Sequence, residues 1–62
     1  MHLNIKKIRI DRDMTQEELA SKSGVSRQTI CTLENNEGMS AKVETLAKLA
    51  SALDVNVSDF FK

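Results

Sequence analysis

Two short helical patterns that meet at a single glycine limit what this chain can fold into. They occupy residues 15–34, TQEELASKSGVSRQTICTLE. Thr15 and Glu18 have the spacing of a capping box, in which each side chain bonds a free backbone N–H of the first helical turn. Gly24 follows where that helix should end, because glycine adopts the positive φ of a helix C-terminus without a Cβ clash. The segment therefore predicts two helices joined by a tight turn.

The helix after this turn has one apolar side and one unusual polar side. It is predicted to run from Arg27 to about Asn35, with Ser26 as its N-cap. Winding the chain at about 100° per residue puts Ile30 and Leu33 on the inner side. The opposite side carries Gln28, Cys31, Thr32 and Asn35, with Arg27 at the N-terminal rim. A core would not select a row of such polar side chains, so a partner outside the chain is expected to use it.

The chemistry of the polar row favours contact with nucleic acid. A merely solvated helix face more often carries Lys and Glu pairs, which stabilise the helix. Gln28 can bond both adenine N6 and N7, Arg27 can bond guanine O6 and N7, and Thr32 can contact a thymine methyl group. These groups match base edges in a major groove, so the row predicts a DNA-reading surface.

The remaining segments also have helical rather than strand patterns. A first helix is predicted from about Leu3 to Arg12, with Ile5 and Ile8 on its inner side, and it stops near Asp13. The apolar stripe of a long fourth helix consists of Val43, Leu46, Leu49, Ala50 and Leu53. A last short helix is predicted to begin at Asn56. No alternating strand pattern occurs in the sequence, so an all-α fold of five helices is expected.

The length and composition fit one small domain. A chain of 62 residues allows a single domain, 1–62, with a small core. One cysteine excludes an internal disulfide, and no Cys/His cluster has metal-site spacing. No run of about 18 apolar residues is present, and the charged N-terminus is too short for a signal peptide. We therefore expect a cytoplasmic protein without metal ion, cofactor or membrane partner.

The balance of charge is unusual for a DNA-binding chain. Nine basic and nine acidic residues give a formal net charge of zero. The charges are unevenly distributed, because residues 1–12 contain four bases and one acid whereas residues 51–61 contain two acids and no base. The basic end is thus the part expected to attract an anionic partner.

The ordered motifs resemble the helix-turn-helix domains of phage repressors and Cro proteins, the XRE family. The resemblance is carried by TQEELA at 15–20, GVSRQTI at 24–30, LEN at 33–35, VETLAKLA at 43–50 and LDVNVSDFF at 53–61. It covers nearly the whole chain from Ile5. One such segment is a weak signal, but the ordered set is specific. The resemblance implies a compact five-helix domain of the lambda-repressor type, with the helix-turn-helix at helices 2 and 3.

The resemblance also implies roles for individual residues. Gln16 matches a position that contacts a DNA phosphate, which suits an amide at the positive end of a helix dipole. Arg9 and Glu34 match a structural ion pair between helix 1 and the recognition helix, residues 27–35. The base-reading positions are matched by Arg27, Gln28 and Thr32. Further contacts to phosphates or base edges are matched by Ser26 and Asn35.

Three positions depart from the family pattern. Asp13 stands where glycine is usual, and Lys42 stands where a helix-capping serine is usual, so helix ends are expected to shift there by a residue or two. Glu37 lies in a loop where a basic residue is common. This acid weakens the expectation of a loop contact to phosphate.

Three classes of function follow from these observations. The leading hypothesis is a sequence-specific transcriptional regulator, a repressor that binds a palindromic operator in double-stranded DNA as a homodimer. The alternative is an antitoxin or anti-repressor that acts mainly by contact with another protein. An enzyme is rejected, because the chain lacks a second histidine, a nucleophile beside a base and a glycine-rich phosphate loop. No small-molecule substrate is indicated.

A homodimer is expected because one recognition helix reads only a few base pairs, and a two-fold pair reads twice as many. The candidates for its interface are the apolar residues of the last segment, Val55, Val57, Phe60 and Phe61. Phe60 is most simply a core side chain, whereas Phe61 is less settled. Neighbouring residues of one helical turn cannot both point inward, so one of the two Phe rings should be available to a partner. A redox role for Cys31 is the less favoured hypothesis, because Arg27 is the sole activating group that the sequence places near it.

Overall fold

The computed structural model describes residues 3–35 and 42–61. Within them the chain forms α1 (Ile5–Asp11), α2 (Gln16–Ser23), α3 (Arg27–Glu34) and α4 (Val43–Leu53), followed by a 3₁₀ helix at Val57–Phe61. These residues contain no strand, which agrees with the expected all-α fold. The predicted last helix is a 3₁₀ helix, so the count of five α-helices is not confirmed. Glu37 lies outside the described residues.

The turn between α2 and α3 has the predicted caps. Glu18 N donates to Thr15 Oγ1 at 3.1 Å, and Thr15 N donates to Glu18 Oε1 at 3.0 Å, which completes the capping box. Gly24 has a φ of 76°, and its N–H donates to the carbonyl oxygen of Ala20. Ser26 Oγ accepts from Thr29 N at 3.2 Å at the start of α3. Local signals therefore fix both ends of this turn.

The two departures at helix ends have small effects. α1 ends at Asp11, and Asp13 adopts the left-handed φ of 56° that a glycine usually supplies. Asp is among the few residues that tolerate this region, so the predicted stop near Asp13 is confirmed. Lys42 is the N-cap of α4 without a capping side-chain bond, and the helix still begins at Val43.

Each element contributes one or two large, fully buried side chains to the core. They are Ile5 of α1, Leu19 of α2, Ile30 of α3, Leu49 and Leu53 of α4, and Phe60 of the 3₁₀ helix. α2 packs against both α3 and α4, and α1 packs against α3. Each such side chain contributes about 1.5–3 kcal/mol through burial. Ile30 and Leu33 are thus held inward, which fixes the direction of the opposite face of α3.

Val43 does not belong to the core, although the apolar stripe of the fourth helix includes it. Its side chain is 76% exposed, whereas Leu46, one turn later, is buried. Helical side chains point toward the N-terminus of their helix. As the first residue of α4, Val43 therefore projects past the end of the stripe.

The C-terminal segment is tied to the start of the chain. The N–H of Asn4 donates to the carbonyl oxygen of Phe60 at 2.9 Å. The Phe60 ring is fully buried, whereas Phe61 is 47% exposed. Phe60 must therefore be removed from the candidates for a dimer interface, because its ring belongs to the core. Val55 and Val57 are half-buried against that core.

Candidate functional site

The outer face of α3 presents the polar row that the sequence indicates. Arg27, Gln28, Cys31 and Asn35 are exposed, and Thr32 is half-buried. The helix is anchored by Ile30 and Leu33 on its other side. Five polar or weakly polar side chains thus lie on one face of a short helix with fixed orientation.

The hydrogen bonds on this face show which groups are already occupied. Thr32 Oγ1 donates to the carbonyl oxygen of Gln28 at 3.0 Å, so the Thr32 methyl group and the oxygen lone pairs are what it can offer. Ser26 Oγ donates to Thr29 Oγ1 at 2.8 Å, besides capping the helix. Asn35 Nδ2 makes a long contact of 3.6 Å to Cys31 Sγ. The amide of Gln28 forms no hydrogen bond with the described part of the chain and can serve a ligand at both ends.

Arg9 and Glu34 form the buried ion pair that joins α1 to α3. Arg9 Nε donates to Glu34 Oε2 at 2.7 Å, and Arg9 Nη2 donates to Glu34 Oε1 at 3.1 Å. Arg9 Nη1 also donates to the carbonyl oxygen of Met14 at 2.7 Å. The side chains are only 11% and 3% exposed. This bidentate geometry is among the strong arrangements of a guanidinium and a carboxylate.

The pKa values of both groups shift in the direction that favours their charged forms. The hydrogen bond to Glu34 raises the pKa of the Arg9 guanidinium, although burial opposes that rise. Burial by itself would raise the pKa of the Glu34 carboxyl. Hydrogen bonds from Arg9 and Gln16, with the positive charge of Arg9, outweigh burial and lower that pKa. Both groups therefore remain ionised at neutral pH.

Gln16 also contacts the Arg9–Glu34 ion pair. The sequence does not indicate this contact. Gln16 Nε2 donates to Glu34 Oε1 at 3.0 Å across 18 positions of sequence. The expected phosphate contact therefore comes from a side chain with one N–H already committed inward. The second N–H of Nε2 and the Gln16 backbone N–H at the start of α2 are the donors left for an anion. No pattern in the sequence pairs these residues, because the contact exists only once α2 and α3 have packed.

A surface cleft brings the starts of α2 and α3 together. It is lined by Arg9, Met14, Thr15, Gln16, Glu17 and Arg27. Glu17 Oε1 lies 4.0 Å from Arg27 Nη1. The cleft thus combines one predicted phosphate contact, one predicted base reader and an acid that the sequence analysis assigns no role. Helix N-termini attract anions, and the cleft opens beside two of them.

Metal-binding clusters and membrane-spanning helices do not occur within residues 3–35 and 42–61. This part of the chain holds no group of three or more His, Cys, Asp or Glu side chains placed to bind a metal ion. None of its helices has both the length and the apolar character needed to cross a membrane.

Comparison with known proteins points in the same direction. A family model described as helix-turn-helix matches residues 5–60. Two proteins of Archaeoglobus fulgidus, each named as an uncharacterized HTH-type transcriptional regulator, are 36% identical to this chain over 61 residues. These alignments cover 98% of this chain and 84% and 86% of the two relatives.

Proposed function

Because this chain belongs to the helix-turn-helix family, a family of DNA-binding transcriptional regulators, we propose that it represses genes by binding a palindromic operator as a homodimer. α3 is the recognition helix and lies in the major groove. Residues 1–62 act as one DNA-binding domain in the cytoplasm. Repression requires only that the bound dimer cover DNA that the transcription machinery needs.

The observation that carries this proposal is the contrast between the two faces of α3. Ile30 and Leu33 fix the helix to the core, while Gln28 faces outward with no internal hydrogen bond to the described residues. An amide that is both exposed and uncommitted can donate and accept at one adenine edge. Arg27 and Thr32 flank it with groups suited to guanine and to a thymine methyl. We therefore assign base reading to Arg27, Gln28 and Thr32.

The positioning contacts are assigned to groups around this row. Gln16 donates to a phosphate through its free N–H groups at the positive end of the α2 dipole. Asn35 is exposed at the other end of α3 and contacts a phosphate or a base edge. Ser26 contributes its oxygen, since its hydrogen is used within the cap. Such contacts fix the register of a protein on DNA and carry no sequence information directly.

Salt dependence tests whether DNA is the partner. An operator would first be selected from a random DNA pool, and its affinity then measured by fluorescence anisotropy at several salt concentrations. The logarithm of the affinity should fall linearly with the logarithm of the salt concentration, by about 0.9 for each phosphate neutralised. Failure to retain any DNA at low salt would instead favour an antitoxin or anti-repressor, whose apolar interface depends little on salt.

Two experiments test the homodimer: one measures the number of chains per operator duplex, and the other removes the exposed Phe61 ring. Sedimentation of the operator complex should give two chains per duplex. Phe61→Ser should weaken operator binding, because truncating a central interface aromatic costs about 2 kcal/mol or more. Val43→Ser is the matched control, since it removes another exposed apolar side chain. A strictly one-to-one complex, or equal effects of both substitutions, would contradict the dimer.

A further inference from the structure

An acid lies beside the arginine proposed to read a base. Glu17 Oε1 is 4.0 Å from Arg27 Nη1, and the two side chains are 81% and 65% exposed. Glu17 follows Gln16 in the first turn of α2, and Arg27 is the first residue of α3. Both line the cleft between the two helix starts. A carboxylate therefore stands among the groups that face DNA in the proposed function.

Helix stability gives little reason for an acid at this position. An acid in the first turn does favour the helix dipole, but Glu18 in the same turn already supplies this and completes the capping box. An exposed ion pair adds little to folding. Near DNA the same carboxylate has a stronger effect, because it repels phosphates and competes with them for Arg27. With a formal net charge of zero, the chain gains little general attraction that could mask this competition.

We propose that Glu17 is a specificity-determining residue, because its carboxylate disfavours a phosphate beside Arg27 and tolerates an uncharged guanine edge. This inference rests on the proposed function. On unrelated DNA, Arg27 gains a phosphate contact only by leaving Glu17, whose charge then faces the same phosphates unpaired. At the correct base, guanine O6 and N7 accept two of the five N–H groups of Arg27, and because the guanine edge carries no net charge, Arg27 keeps its contact with Glu17 there. Glu17 thus weakens binding to unrelated DNA more than binding to the operator.

The test is a Glu17→Gln variant, which removes the charge and keeps the length of the side chain. Its affinity would be compared with that of the original protein on the selected operator and on a scrambled duplex. Affinity for the scrambled duplex should rise more than affinity for the operator, by about two- to fivefold per half-site, the factor expected of one exposed ion pair. The salt dependence on scrambled DNA should steepen by about 0.9 per half-site, because Arg27 gains a phosphate.

Two controls separate this effect from a change in net charge. Asp11→Asn also removes one exposed carboxylate, from α1 and outside the cleft, and it should shift both affinities by the same factor. In an Arg27→Ala background, Glu17→Gln should leave the specificity ratio unchanged. If Glu17→Gln behaves like Asp11→Asn, the inference is wrong while the proposed function stands. If the original protein prefers no sequence at all, the proposed function fails and the inference fails with it.

Discussion

A Glu34→Gln variant is expected to lose about 3–5 kcal/mol of unfolding free energy, because it leaves the Arg9 guanidinium without its counter-charge in a nearly closed site. Two hydrogen bonds from Arg9 and one from Gln16 converge on the Glu34 carboxylate. A domain of this size has a total stability of about 3–9 kcal/mol. The substitution should therefore unfold a large share of the molecules, as measured by urea denaturation followed by circular dichroism.

Glu44→Gln provides the matched control. The chemical change is the same, but Glu44 pairs with Lys48 at 3.6 Å on the surface of α4, and its side chain is 80% exposed. Pairs of this kind, one helical turn apart, contribute about 0.2–0.5 kcal/mol. If Glu34→Gln and Glu44→Gln denature at the same urea concentration, the Arg9–Glu34 pair is open to water in solution and its structural role fails.

Lowering the pH should reduce the difference in unfolding free energy between the Glu34→Gln variant and the original protein. The pKa of Glu34 is lower in the folded chain than in the unfolded chain. Its charge therefore contributes stability fully above the unfolded pKa of about 4.3, and this contribution is lost as the pH falls through the lower folded pKa. The glutamine variant has no such titration. A stability difference that stays constant down to pH 2 would mean that packing, rather than charge, explains the loss.

Local signals predicted the helix-turn-helix from sequence because their partners lie within one turn of the chain. Thr15 and Glu18 are three residues apart, and the φ of Gly24 depends on its own missing Cβ. Such effects require no knowledge of tertiary packing. The periodicity of α3 likewise gave the correct division between Ile30 and Leu33 inside and Gln28 outside.

Features that depend on position relative to the whole fold were not predicted. Periodicity gave the side of α4 on which Val43 lies, but not that the core ends before it. Periodicity also did not show that the last segment is a 3₁₀ helix with three residues per turn, although the interpretation of Phe60 as a core side chain is confirmed. The contact from Gln16 to Glu34 spans 18 positions, and no local rule reaches that far.

Gln28→Ala is expected to have the largest effect on discrimination between bases. Loss of a bidentate contact to adenine should cost about 1–3 kcal/mol of discrimination at one base position. Because the proposed two-fold dimer would present the same residue to both half-sites, the effect should appear at a symmetric pair of positions and about double when both are altered. Affinities for the selected operator and all its single-base variants would measure this, since the substitution should flatten the preference at that pair alone.

Gln16→Ala is the comparison, because it removes an amide assigned to a phosphate. It should weaken binding to every operator variant by a similar factor, since phosphate contacts carry no direct sequence information. The structure adds a second effect, because Gln16 also donates to Glu34. A hydrogen bond to a charged group contributes about 1.5–3 kcal/mol, so this variant should melt at a lower temperature than Gln28→Ala. Affinities must therefore be compared well below both melting temperatures.

The pattern across base positions, rather than the size of the loss, decides what Gln28 does. Its amide makes no hydrogen bond to the described residues and its side chain is exposed, so Gln28→Ala should leave folding nearly unchanged. Any change in affinity then belongs to the interface. Should Gln28→Ala lower all affinities uniformly with the base preferences intact, Gln28 would be a positioning contact and not a base reader. Should it leave every affinity unchanged, the outer face of α3 would be free to contact another protein, as the antitoxin or anti-repressor hypothesis requires.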